Sequence, residues 1–181
     1  MYYVDMENKK LEKVESVSFS NGGLKERYDL QEWLAANPQC LSADNQDDLL
    51  IIQKEFDEFD KTNERLDLLA LDKQGYLVVI ELKTDDSGRD VTWQAIKYAS
   101  YCSTLKNPQI IRIYGDYLGN SDKAEEKLKE FFGVDNLDEI NLNPESKPKI
   151  ILVAANFRPE ITSRDLCKIP PKSPKLPPRH L

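Results

Sequence analysis

The sequence predicts an α/β fold, a mixed four- or five-stranded sheet flanked by helices, on three observations. Apolar runs of strand length occur over 49–59, 65–72, 76–83 and 149–155. Apolar residues recur at helical spacing over 24–36, 91–105, 108–118 and 121–132. Two of the strands are joined by Lys73-Gln74-Gly75, a connection short enough to be a hairpin turn.

Taken in order, the first 20 residues alternate apolar and polar around Asn8-Lys9-Lys10, with Val14, Val17 and Phe19 spaced like a half-buried hairpin. A β appendage over 1–23 is expected. In 24–36, Leu30, Trp33 and Leu34 form one stripe and Asn37-Pro38 ends the run, giving a first core helix. Residues 49–59, with Leu50, Ile52, Glu55 and Phe56, read as a strand leaving through an acidic loop at 57–60. The hairpin follows, then a polar loop at Asp85-Asp86-Ser87-Gly88, then a helix carrying Gln94, Tyr98 and Leu105 at helical spacing. Of the next two helices, the second has Glu and Lys at i,i+4 and stops at Gly133. A last strand over 149–155 and a short helix over 161–167 complete one domain, 24–168. Residues 169–181 hold five of the 10 prolines, which predicts a disordered tail.

A chain of 181 residues supports one such domain. With 25 basic against 32 acidic residues its net charge is −7, so any site for a polyanion must be local. No apolar run approaches the roughly 20 residues of a membrane span. The N-terminus shows no leader pattern, and three scattered cysteines suit a reducing compartment, so a cytoplasmic protein is expected. The one histidine, His180, lies beside the C-terminus, which leaves carboxylates, lysines and tyrosines to carry any chemistry.

Both strands of the hairpin are apolar on both faces, with Leu66, Leu68 and Ala70 on one side of the first and Leu69 and Leu71 on the other. Into this pair the sequence places Asp67, Glu81 and Lys83, each costing on the order of several kcal/mol to bury without a partner. Glu81 and Lys83 share a face. A two-residue loop would send Asp67 to the opposite face. A three-residue loop with Gly75 in the left-handed position pairs Asp72 with Tyr76, and therefore Asp67 with Glu81; Gly75 fits this geometry. Two carboxylates about 5 Å apart repel unless a cation lies between them, and magnesium or manganese is the natural choice. The bland alternative is a solvated salt-bridge cluster on a surface hairpin.

These residues resemble the PD-(D/E)XK nuclease superfamily, and within it the NucS/EndoMS-like (DUF91-type) endonuclease domain. The match covers roughly 24–165 and comprises Glu26-Arg27 and Leu30-Gln31, Arg65-Leu66-Asp67-Leu68-Leu69, Val79-Ile80-Glu81-Leu82-Lys83, and Gln94-Ala95-Ile96-Lys97-Tyr98, which is similar to the Gln-x-x-x-Tyr motif of RecB-like nucleases. The resemblance implies a restriction-endonuclease-like core in which Asp67 and Glu81 ligate Mg2+ or Mn2+ with the Leu82 carbonyl. It further implies that Lys83 is the catalytic lysine and that Gln94 and Tyr98 line the cleft. It also implies an acid from the first helix. At 100° per residue Glu26 falls about 40° from Leu30, whereas Glu32 points about 160° away, which favours Glu26. A first-turn carboxylate answering the helix dipole explains Glu26 equally well, and an i,i+4 structural pair does the same for Gln94 and Tyr98. Glu55 reads as an exposed strand glutamate.

The sequence departs from the resemblance in three places. No DNA-binding β domain precedes the core, Thr84 stands where another basic residue is expected, and the proline-rich end suits a truncated or frame-shifted C-terminus. The expected function is metal-dependent endonucleolytic hydrolysis of DNA in repair or in defence against foreign DNA. The partner is DNA and not a membrane, with a homodimer left open. The alternative is a non-cleaving nucleic-acid-binding or interaction module that kept the fold.

Overall fold

The computed structural model describes residues 2–13, 17–42, 48–59, 64–84 and 90–157. Two strands at the N-terminus, β1 (Tyr2–Asp5) and β2 (Lys10–Lys13), pair antiparallel as a separate two-stranded sheet. The turn is fixed by Asp5, whose Oδ1 accepts the N–H groups of Glu7 and Asn8 at 3.0 Å each. The expected half-burial is corrected in part: β2 and Val17 are exposed, whereas Phe19 is partly buried against Trp33, and both Val17 and Phe19 lie beyond the hairpin, which ends at Lys13. Alternation arises from cross-strand pairing even without a core beneath it.

The main sheet has the order β3-β4-β5-β6, with β3 (Leu49–Phe56), β4 (Leu66–Asp72) and β5 (Leu77–Leu82) antiparallel and β6 (Lys149–Val153) parallel to β5. The parallel pair needs a long crossover. It is supplied by α2 (Val91–Cys102), α3 (Asn107–Leu118) and α4 (Ser121–Phe132). These cover one face of the sheet. Their inward residues Tyr98, Cys102, Ile110, Ile113, Tyr114, Ala124 and Leu128 close over Ile52, Phe56, Leu69, Leu71 and Val79. The other face, with Leu68, Ala70, Val78, Ile80 and Leu82, is covered by Leu30 and Leu34 of the N-terminal helix and by Leu41. A sheet buried on both faces explains why β4 and β5 are apolar almost without interruption.

Glycine ends two helices in the left-handed conformation, Gly119 after α3 and Gly133 after α4. Asn143 is a tertiary cap: its Nδ2 donates to the carbonyls of Cys102, Ser103 and Leu105, and its N–H donates to Gly75 O at 2.7 Å. Gly75 itself has φ +85°, and a Cβ there would stand 2.8 Å from Asn141 O. Gly75→Ala is therefore expected to lower stability by about 2 kcal/mol or more, measured by urea unfolding.

The expected first helix departs from the simple pattern. It opens with one π-helical turn, Glu26–Leu30, and only then becomes α1 (Gln31–Ala36). The Gln31 N–H reaches Glu26 O, so one extra residue is accommodated in the turn. This rotates everything downstream. Gln31 is buried at 2% exposure, and Trp33, expected in the core stripe, is half exposed and tilts against Phe19. Strand β6 ends at Val153 and α2 at Cys102, both shorter than expected. The loop 85–88, Val14, the helix expected at 161–167 and the proline-rich tail lie outside the described residues. Among the described residues no helix is long and apolar enough to cross a membrane.

Candidate active site

The hairpin register decides where the charges meet. Leu71 pairs with Leu77, Ala70 with Val78, Leu69 with Val79 and Leu68 with Ile80. Continued one step, this register sets Asp67 against Glu81, as the three-residue loop requires, although the paired residues end at Leu68 and Ile80. At that step the strands part. Leu68 belongs to the core beneath α1, whereas Leu66 belongs to the core beneath α2–α4, although strand periodicity would put both on one face. The expected shared face of Leu66, Leu68 and Ala70 is thus broken by a rotation of β4 at Asp67. Its carboxylate turns into the gap and accepts the Leu82 N–H on Oδ2 at 2.8 Å.

Glu81 faces the same gap at 3% exposure. Its Oε1 is buried and finds no hydrogen-bond partner among the described residues. Burial pushes its pKa up to about 8, and the Asp67 charge adds to the rise, against the pull of the Lys83 ammonium. Burial likewise pushes half-buried Asp67 up to about 6, the Leu82 N–H and Lys83 opposing. Both carboxyls are thus set to hold protons more tightly than in solution.

Lys83 lies just past β5, its N–H bonded to Val153 O at 2.8 Å, and its Nζ donates to Glu26 Oε1 at 3.2 Å. The Thr84 N–H donates to Glu26 Oε2 at 3.3 Å. Glu26, rather than Glu32, is therefore the helix acid brought to the site. Glu32 forks instead onto Lys54 at the surface, both contacts 2.8 Å. Position 84 takes part through its backbone, which any residue but proline supplies.

Gln94 and Tyr98 lie one turn apart on α2, which packs on β5 and β6. Gln94 is half-buried. Tyr98 is buried at 2% and stacks on Phe59 with ring centroids 4.6 Å apart. Its phenol pKa is raised, by burial first and then by the negative charge of Glu81.

Two residues gain roles that sequence patterns did not show. Gln31 Nε2 donates to the Asp67 carbonyl at 3.1 Å, which anchors the rotated backbone. Glu55, expected to be exposed, is only 20% exposed and receives Arg27 Nη2 at 3.1 Å.

Asp67 and Glu81 supply the side-chain oxygens here that could hold a hard cation, with the Leu82 carbonyl as a further oxygen. In an extended strand the N–H and C=O of one residue lie along the same edge, so the Leu82 carbonyl shares the edge on which its N–H meets Asp67. Among the described residues, no three His, Cys, Asp or Glu side chains gather as a metal-holding group. A cavity of about 260 Å³ at the opposite end of the sheet, lined by Leu41, Leu49, Val78 and Ile150 beside the Asp72–Lys149 ion pair, contains none of these groups. Compared with protein-family models, curated proteins and solved structures, the chain finds no match in any of the three.

Proposed function

We propose that this chain is a metal-dependent endodeoxyribonuclease with a PD-(D/E)XK-type core of the NucS/EndoMS-like kind. One observation carries it: Asp67 and Glu81, neighbouring carboxyls on two central strands, are half-buried and buried respectively, while the Lys83 ammonium that acts on both is tied to Glu26. Such a pair is unfavourable for folding and fits a hard divalent cation, Mg2+ or Mn2+, with Leu82 O as third donor. When bound, the cation supplies Lewis acidity toward a phosphate oxygen and a water of lowered pKa.

The remaining work falls to the chain's own groups. Asp67 is held by the Leu82 N–H and by the Gln31 anchor on its carbonyl. Glu26 keeps the Lys83 ammonium at the rim, where it is free to donate to the attacking water or to a developing negative oxygen. Tyr98, buried on α2 within electrostatic reach of Glu81, limits the room for bulk water, and Gln94 lies one turn before it on the same helix.

Labelled single-stranded, duplex and branched or mismatched DNA, incubated with magnesium or manganese, tests the activity and begins to define the substrate. Cutting with either ion supports it; intact DNA on every substrate argues for the non-cleaving binding or interaction module. Lys83→Ala is expected to slow cutting about a hundredfold or more while changing manganese affinity, read by calorimetry, by no more than about threefold. Unchanged cutting in this variant removes the lysine from the chemistry.

A further inference from the structure

One charged cluster beside the site is used neither by the carboxylate pair nor by Lys83: Arg27, Glu55 and Arg65. Glu55, next to last in β3, has φ +52°, the left-handed region that costs an L-residue about 1–2 kcal/mol. Its Oε2 receives Arg27 Nη2 at 3.1 Å from the π turn and Arg65 Nη1 at 3.8 Å from the residue preceding β4. Arg65 Nε also approaches Asp57 at 3.8 Å. Half-exposed ion pairs of this kind contribute about 0–1 kcal/mol, less than the strain that glycine would avoid at position 55. Stability alone therefore does not account for a glutamate held there.

What the arrangement achieves is convergence. Both guanidinium groups approach one carboxylate oxygen, so their tips can be no farther apart than the two distances laid end to end. Glu55 itself stands between those tips, so a phosphate meets the donors they leave exposed on the solvent side, at charge-assisted hydrogen-bond distances of about 2.8 Å. Each guanidinium has five N–H donors and stays about half exposed, at 50% and 48%. Their placement is equally specific. Arg27 follows Glu26, the partner of Lys83, and Arg65 precedes Asp67 by two residues. Among the described residues the third arginine, Arg112, is forked onto Glu58.

We infer that Arg27 and Arg65, drawn together by Glu55, form a receptor for a single backbone phosphate of a nucleic-acid strand, adjoining the Asp67–Glu81 pair. The inference deepens the nuclease proposal and rests on it for the choice of polyanion. Glu55 and Asp57 offset the two positive charges, so the receptor acts through fixed, half-exposed guanidinium donors rather than through a net positive patch.

The test is fluorescence anisotropy of labelled single-stranded and duplex oligodeoxynucleotides over about 50 to 200 mM salt. Calcium is included as a hard cation that neutralises carboxylates. Arg27→Ala and Arg65→Ala are each expected to weaken binding about three- to tenfold at the lowest salt. Each should also reduce the slope of log K against log salt by about 1. Arg27→Lys and Arg65→Lys should keep the slope and lose part of the affinity. Lys147→Ala, a change of equal charge two residues before β6, should alter neither. Parental slope and affinity in both alanine variants, or a parent that binds no DNA, overturns the inference. Manganese cleavage run in parallel separates the two proposals. Arginine-dependent binding without cutting keeps the receptor and removes the nuclease; cutting that is indifferent to both arginines does the reverse.

Discussion

Manganese-dependent cutting of DNA is expected to fall by a factor on the order of a thousand or more in Asp67→Ala and in Glu81→Ala, about 4 kcal/mol of lost transition-state stabilisation. The fold should survive both changes. In Asp67→Ala the Leu82 N–H loses its acceptor, at a cost of about 1–3 kcal/mol. Against that stands relief from two neighbouring carboxyls whose proton affinities are both raised by burial. Asp67→Asn is the sharper variant, because its amide oxygen still accepts the Leu82 N–H while the negative charge is gone. Circular dichroism should match the parent, and cutting measured on the same samples should be lost. Parental cutting in Asp67→Asn removes Asp67 from the donor set and the nuclease proposal with it.

A second large effect concerns the protein without metal. The Glu81 carboxyl ionises near pH 4.5 when unfolded and near 8 when folded, so between these values the folded state binds more protons than the unfolded state. Stability therefore falls as pH rises through that window, with a slope from this group of up to about 1.4 kcal/mol per pH unit. Asp67 contributes in the same direction between 3.8 and about 6. Glu81→Gln should flatten the profile and raise Tm at pH 8 by several degrees, at about 2–4 °C per kcal/mol for a domain of this size. Manganese should raise the parent's Tm strongly at pH 8, weakly at pH 5 where protons compete, and at neither pH in Glu81→Gln. Differential scanning fluorimetry across pH, with and without the ion, reads all three. A flat profile in the parent would show that the carboxyls are better solvated than their burial implies.

How much of this was legible in the sequence depends on how local the determinant is. The opposition of Asp67 and Glu81 follows from one glycine: Gly75 fixes the loop at three residues, and strand parity does the rest. The preference for Glu26 over Glu32 also emerged, because the two lie on different sides of any right-handed helix. The π turn had no such signature. It inserts a residue without interrupting helical composition, so a constant 100° step put Trp33 in the core and gave buried Gln31 no role. Glu55 was hidden for a similar reason. The register of β3 shifts between Ile51 and Gln53, and Glu55 departs from strand dihedrals, so alternation counted from Leu50 no longer applies. The rotation of β4 at Asp67 belongs to the same class: tertiary contacts on both faces set it, and both faces are equally apolar in sequence.

The π turn also divides tolerance to substitution from tolerance to changes of length. Glu26 at its start meets Lys83, and Gln31 at its end meets the Asp67 backbone, so one extra residue serves two separate contacts. Between them, exposed Tyr28 is open to replacement at little cost. Deleting any one residue of the turn would restore a regular helix and swing one of the two contacts through about 100°. In any lineage that keeps this site, the number of residues from 26 to 31 should therefore stay fixed, with identity free to drift at Tyr28.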